Sequence, residues 1–242
     1  MKVFAYMEHG VNKSHSEDTI LANGLICKDG FICFDTPGKC IAIADGVGGN
    51  AGGQDASEFV CSALKQGIPD DAKDSALKIN DALISYARTV QGKENMATTL
   101  TALLFDDKTP TRVIHVGNTR LCAIRGEYLK QLTRDHTAVE YFRLRGDYEA
   151  ADNAAKNEIT ACFGGGSAAL ISQLQIFEID RDYAGFVITS DGLHDHLDEE
   201  PLEDFVAEGI YTESAFEALV RQARKNGSVD DISIILLVFG SD

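Results

Sequence analysis

The stretch CIAIADGVGGNAGGQDAS, residues 40–57, runs from an apolar segment into Asp45, then through five glycines in eight residues, and then into a helical pattern. Glycine-rich turns between strand and helix commonly offer backbone N–H groups to phosphate. This one opens with a carboxylate, which repels phosphate. Either Asp45 serves a cation, or the loop has nothing to do with phosphate. The dinucleotide spacing G-x-G-x-x-G/A is formally met by Gly46, Gly48 and Ala51. Asp45 would, however, point negative charge at the pyrophosphate, and no acid stands about 20 residues on to take the ribose. A P-loop fails as well, because Gln54 follows Gly53 where lysine is needed.

Other carboxylates stand at the ends of apolar runs. GFVITSDGL places Asp191 just past a strand pattern and again before a glycine. GSVDDISIILLVF places Asp230 and Asp231 just before one, and SHSEDTIL offers Glu17 and Asp18 ahead of an apolar segment. Four acidic spots at strand ends suit a hard cation, since Mg²⁺ and Mn²⁺ take oxygen ligands and keep several waters. Two such ions about 3.5–4 Å apart can share an activated water. Glycine after aspartate lets a backbone carbonyl approach as a further ligand. Taken singly, each acidic pair also reads as a solvated turn or a helix cap. The glycine of DGLHDHLDEE is misplaced for an EF-hand, and nucleophile-elbow, Ser-His-Asp and HExxH patterns are absent. Spacing alone points to a two-metal hydrolase and goes no further.

Composition narrows the partners. A net charge of −16 over 242 residues opposes nucleic acid and anionic membrane surfaces and tolerates divalent cations. With 44% hydrophobic residues the chain can bury a substantial core. The opening VFAYM is too short for a signal peptide, and ISIILLVF falls far short of the ~18 residues of a membrane span. Six scattered cysteines without a CxxC pair read as reduced thiols of a cytoplasmic protein.

Strand patterns fall near 31–35, 40–44, 99–105, 112–116, 120–125, 170–179, 184–190 and 232–239. One helical stripe follows the glycine loop through Ala56, Phe59, Val60, Ala63 and Leu64. A second runs through Ala76, Ile79, Leu83, Tyr86 and Val90, with Asp74 as N-cap. A third helix is expected near 214–226, with Ser214 and Glu217 at capping-box spacing and Gly227 to stop it. Strands outnumber helices and the short connections suit hairpins, which favours α+β over a doubly wound sheet. Residues 137–168, which contain FGGGS, read as a flap or loop with short helical pieces.

In their order these segments resemble the metal-dependent protein phosphatases, the type 2C serine/threonine family, from about residue 9 to 239. KSHSEDTI looks like the Arg-x-x-Asn-Glu-Asp opening, and IADGVGGNAGGQDAS like the Asp-Gly-x-Gly-Gly segment. NMATTLTALLF is similar to the Thr-Thr strand, and VIHVGNTRLCAIRGEYLKQLTRDHT to the Gly-Asp-Ser-Arg hairpin with its Asp-His-Ser end. ITSDGLHDHL and GSVDDISIILLVF resemble the Ser-Asp-Gly and closing Asp-Asn-x-Thr segments.

The resemblance implies one catalytic domain over 1–242, a four-layer α-β-β-α sandwich with a metal cleft at one end. It implies two Mn²⁺ or Mg²⁺ ions, with Asp45 bridging them and the Gly46 carbonyl, Asp191 and Asp230 as direct ligands. Glu17 and Asp18 would act through metal-bound water, and the bridging water would attack phosphorus in line. The implied substrates are phosphoserine and phosphothreonine proteins of a cognate kinase pathway. The compact chain resembles minimal bacterial members.

Four positions depart from the family pattern. Lys13 stands for the phosphate-binding arginine and lacks its bidentate fork. Asn118 stands for an aspartate of a weaker third metal site, to which Asp195 would also contribute. Asp231 replaces an asparagine, and Val47 a histidine proposed as general acid in some members, so the leaving group would take its proton from metal-bound water, with His136 and His194 as other candidates that also read as structural or solvated residues. These changes motivate two alternatives: a catalytically weak or silent phosphoprotein-binding module, and a phosphatase of small phosphate esters.

Overall fold

The computed structural model describes residues 1–47, 52–65, 67–68, 71–105, 110–179 and 182–240. Two six-stranded antiparallel sheets dominate. The first has the order β10 (Tyr128–Gln131), β9 (Arg120–Arg125), β13 (Gly185–Thr189), β14 (Ile232–Val238), β1 (Lys2–Glu8), β4 (Gly30–Phe34). The second has the order β12 (Gln175–Ile179), β8 (Thr111–Val116), β7 (Leu100–Leu104), β5 (Cys40–Ala44), β2 (Thr19–Ala22), β3 (Leu25–Cys27). A two-residue pair, β6 (Ala97–Thr98) with β11 (Phe163–Gly164), lies beside the second sheet.

Successive strand side chains point to opposite faces, and here both faces are covered. In β14, Ile235 and Leu237 enter the layer between the sheets, meeting Ile41, Ile43 and Leu103 of the second sheet. Ile234 and Leu236 turn outward under α6 (Glu199–Glu208) and α7 (Glu213–Lys225), where Phe205, Phe216 and Val220 meet them. On the far side α1 (Gly53–Leu64) and α2 (Ala72–Ala87) cover Leu21, Ala42 and Ala44. The layers are therefore α-β-β-α, as expected. Burial on both sides explains why ISIILLV is apolar throughout rather than alternating.

Several local expectations need correction. The N-cap of α2 is Asp71, whose carboxylate accepts the Asp74 N–H at 2.8 Å; Asp74 lies inside the first turn. Helix α7 is capped at Thr212, and Ser214 turns its hydroxyl onto Thr212 at 3.0 Å instead of onto the backbone. The buried stripe of α1 is Ala56, Ser57, Val60, Cys61 and Leu64, while Ala63 faces solvent and Phe59 stacks on Tyr86 at the rim. The run 170–179 is strand only from Gln175, because Ala168–Ile171 forms a 3₁₀ turn. Strands β1 and β10 and helix α6 went unread. Within 137–168 the structure forms α3 (Ala138–Leu144), α4 (Tyr148–Asn153) and β11.

Candidate metal centre

Strand register brings the distant carboxylates to one end of the sandwich. In the second sheet Thr19 pairs with Ala44, so Asp18 and Asp45 leave neighbouring strands side by side. In the first sheet Thr189 pairs with Ile234 and Arg120, which gathers Ser190–Asp191, Asp230–Asp231 and the Gly117–Thr119 turn. Hydrogen bonds tie the two sheets at this end: Ser233 Oγ donates to Asp18 Oδ2 at 2.7 Å, and Glu17 N–H to Asp231 Oδ2 at 2.8 Å.

The glycines of the opening motif allow backbone to approach backbone. A Cβ on Gly46 would stand 2.5 Å from the Gly53 carbonyl carbon, and one on Gly53 would meet Glu17 Oε1 at 2.9 Å. Gly192 is equally constrained, since a Cβ there would come within 2.0 Å of the Asp231 carbonyl oxygen. The Asp45 backbone is braced by the Thr-Thr segment. Thr99 N and Thr98 Oγ1 donate to its carbonyl at 2.8 and 2.9 Å, and its own N–H donates to Thr99 Oγ1 at 3.1 Å. Gly48 and Ala51 of the dinucleotide spacing lie outside the described residues.

Asp18, Asp45 and Asp191 form the inner part of the cluster. Asp18 and Asp191 each stand within hydrogen-bonding reach of the Asp45 carboxyl. Burial and then the Asp231 charge push the Asp18 carboxyl up to about 7. Burial and then Asp18, Asp191 and Asp230 hold Asp45 well above the usual carboxylate range, and burial followed by Asp230 raises Asp191. The available partners are neutral. Asn118 Nδ2 donates to Asp191 Oδ2 at 2.8 Å, and Ser233 serves Asp18. Two buried oxygens, Asp18 Oδ1 and Asn118 Oδ1, have no hydrogen-bond partner.

Glu17, Asp230 and Asp231 form the outer part, gathered on Lys13. Its Nζ donates to Glu17 Oε2 at 2.8 Å and to Asp230 Oδ1 and Asp231 Oδ2 at 2.9 Å each. Burial opposes the ammonium charge, but these three carboxylates outweigh it and raise the Lys13 pKa. Arg224 braces the same loop, donating to the Asp230 carbonyl at 2.6 Å, the His9 carbonyl at 3.0 Å and Glu8 Oε1 at 3.2 Å. Among the described residues no three acidic, histidine or cysteine side chains are arranged to hold one ion as they stand. The carboxylates meet in pairs, and other oxygens turn onto Lys13, Asn118 and Ser233.

The protein phosphatase 2C family model matches residues 18–225, more than four-fifths of the chain and all of these acids except Glu17, Asp230 and Asp231. The chain belongs to the protein phosphatase 2C family. It is therefore a metal-dependent phosphoprotein phosphatase by family. Protein phosphatase PhpP of Streptococcus pneumoniae is 29% identical to it over 218 residues, covering 81% of this chain and 84% of PhpP. The fold matches a crystal structure of a bacterial serine phosphatase with TM-score 0.79 at 23% identity, over 99% of this chain and 98% of that one. It also matches the catalytic domain of the serine/threonine phosphatase PstP, solved with two manganese ions, with TM-score 0.72 at 23% identity, over 98% of this chain and 99% of that one.

In this phosphatase a cleft of about 460 Å³ opens beside the cluster, between α3 and the turn after α5 (Asp191–His194). Asn118, Asp195, Arg143 and Lys156 are among the residues lining it. Asp195 is exposed at the cleft wall, and partial desolvation of its carboxyl there raises its pKa against the pull of Arg120. Both candidate histidines are hydrogen-bonded within the fold. Gly117 N–H donates to His136 Nδ1 at 3.0 Å, and burial followed by Arg134 lowers that ring to about 4. His194 shares a 2.8 Å hydrogen bond with Thr189 Oγ1, and burial followed by Arg120 takes it well below the usual histidine range. Neither would be protonated near neutral pH, as a general acid must be.

Sequence reasoning missed the supporting residues Thr98, Thr99, Ser233 and Arg224. Ser233 did leave a signal, as the one polar residue in an otherwise apolar strand. Arg224 left none: its near partners are the Ser228 hydroxyl and the backbone carbonyls of Ser228 and Asp230, and Glu8 and His9 lie more than 200 residues away.

No helix among the described residues is long and apolar enough to cross a membrane.

Proposed function

We propose that the chain is a Mn²⁺- or Mg²⁺-dependent protein serine/threonine phosphatase acting on phosphoserine and phosphothreonine, built as one catalytic domain with residues 137–168 as its flap. The observation that carries this reading is the inner carboxylate cluster. Burial first, and then the charge of neighbouring carboxylates, raises the pKa of Asp18, Asp45 and Asp191, and the donors to Asp18 and Asp191 among the described side chains, Ser233 and Asn118, carry no positive charge. Such an arrangement is costly unless a cation offsets it. The donors are all oxygen, which suits hard divalent ions over zinc. The two buried oxygens without partners, on Asp18 and Asn118, fit the same reading.

Asp45, Asp191, Asp230 and the Gly46 carbonyl would hold two ions, with Glu17 and Asp18 ordering water around them. Asn118 and Asp195 would offer a weaker third site, since one neutral carbonyl replaces a carboxylate. When bound, the ions supply an activated water and neutralise the phosphoryl charge. The chain's own groups do the rest. Thr98 and Thr99 fix the Asp45 backbone, Ser233 fixes Asp18, and Arg224 fixes the carbonyl of Asp230. Lys13 is the cationic side chain placed to meet the phosphate, and Arg143 and Lys156 face the cleft in which flanking peptide would lie. Six free cysteines suit a reducing, cytoplasmic setting in which a partner kinase supplies the substrates.

Hydrolysis of p-nitrophenyl phosphate and of a phosphothreonine peptide, with Mn²⁺ and after EDTA, tests the proposal. Both should be hydrolysed with Mn²⁺ and neither after EDTA or by Asp191→Ala. Turnover of the ester alone would restrict the enzyme to small phosphates, and inert wild-type protein would refute the catalytic reading.

A further inference from the structure

Lys13 does not stand free to receive phosphate. An ammonium has three N–H donors and no acceptor. All three are engaged, at 2.8 Å by Glu17 and at 2.9 Å by Asp230 and Asp231. The three acceptors differ in mobility. The Asp231 side chain is 2% exposed and locked by two backbone donors, Gly10 N–H on Oδ1 at 2.7 Å and Glu17 N–H on Oδ2 at 2.8 Å. The Asp230 side chain is 55% exposed, and besides Lys13 it accepts only the N–H of its own neighbour, Asp231, at 2.8 Å. Asp231 is thus a fixed anchor, while Asp230 can turn away.

We propose that Lys13 is a cation-responsive phosphate ligand. With Asp230 turned onto it, it serves as the built-in counter-ion of the outer carboxylates and competes with a divalent cation for that side chain. When Asp230 turns to the cation, one ammonium donor is released toward a phosphoryl oxygen. Asp231 is the positioning residue that keeps Lys13 at the site throughout. Lysine and the second aspartate therefore act as a pair: a guanidinium would hold phosphate without Asp231, whereas a single ammonium on a flexible stem needs an anchor. The inference rests on the phosphatase reading above and adds an order, cation before phosphate. By linkage, each ligand then tightens the other.

Calorimetric titration of EDTA-stripped protein tests this, with MnCl₂ first and then with inorganic phosphate in the presence and absence of Mn²⁺. Wild-type protein should bind phosphate measurably only with Mn²⁺ present. Lys13→Met should bind Mn²⁺ about three- to tenfold tighter, because a cation beside the ligand set is gone, and phosphate at least about tenfold weaker. Lys13→Gln should follow the same pattern should the methionine variant fold poorly, and Lys13→Arg should keep phosphate affinity. Asp231→Asn should weaken phosphate with little change in Mn²⁺ affinity. Unchanged or weaker Mn²⁺ binding in both Lys13→Met and Lys13→Gln would overturn the competition, and so would phosphate binding to wild type that ignores Mn²⁺. Wild-type protein that binds no Mn²⁺ at all would instead remove the metal reading on which the inference stands.

Discussion

The two parts of the carboxylate cluster share one end of the sandwich, with Glu17 of one next to Asp18 of the other in sequence, and are electrostatically unlike. Glu17, Asp230 and Asp231 share the ammonium of Lys13, and their loop is held by Arg224. Asp18 and Asp191 both reach the Asp45 carboxyl, their other side-chain donors are the Ser233 hydroxyl and the Asn118 amide, and burial raises the pKa of all three. The outer part can exist without an external cation because the chain supplies one. The inner part has no such cation among the described side chains, and its buried carboxyls favour the protonated form instead. A cation-binding site is poised in this way: stability is given up where the ligand is to bind, and recovered when it does.

Breaking the inner part should have the largest effect. Asp45→Asn or Asp191→Asn should lower Mn²⁺-dependent hydrolysis by at least about a thousandfold. The same changes should leave the melting temperature of the metal-free protein equal or higher, because each removes a repelling charge. A large fall in melting temperature for either variant would mean that these carboxylates support the fold.

The inner part also makes stability depend on pH. A carboxyl raised in the folded state keeps its proton while the unfolded chain loses one. Its contribution is therefore fully present below about pH 4 and is lost as pH rises through the folded value, about 7 for Asp18. Metal-free protein should accordingly melt at a lower temperature at pH 8 than at pH 6, and Mn²⁺ should remove most of that difference. Thermal melts with EDTA and with MnCl₂ at the two pH values check this.

Smaller effects separate the parts further. Arg224→Met withdraws charged donors from the carbonyls of Asp230 and His9 and should cost about 2 kcal/mol in denaturant unfolding, with an increase in the Mn²⁺ concentration needed for half-maximal rate. Asn118→Asp places a further carboxylate against Asp191. It should lower metal-free stability slightly and raise activity at low metal severalfold. No change in the metal dependence of rate would discard the third-site role of Asn118 and Asp195.

The acids themselves were legible because each stands where an apolar run meets a turn, and that is a one-dimensional signal. Their order along the chain then gave the family and the layered fold. What joins them was not legible: Lys13 meets Asp230 and Asp231 across more than 200 residues, and no local pattern announces such a contact. Strand β1 escaped because Val3, Ala5 and Met7 enter the inter-sheet core while Phe4 and Tyr6 pack under helices, so no alternation shows. Helix α6 escaped behind its acidic start and Pro201, although proline is tolerated in a first turn. The α2 cap slipped by one turn because Asp71 and Asp74 are equally good capping residues, and only backbone geometry distinguishes them.

The most direct test of the central claim is a calorimetric titration of Mn²⁺ into metal-free protein near pH 7, repeated in two buffers of different ionisation heat. Carboxyls whose protonation is favoured by burial and by neighbouring carboxylates must give up those protons when a cation replaces them, so binding should release about one proton or more per protein. Binding without proton release, or no binding, would contradict the account.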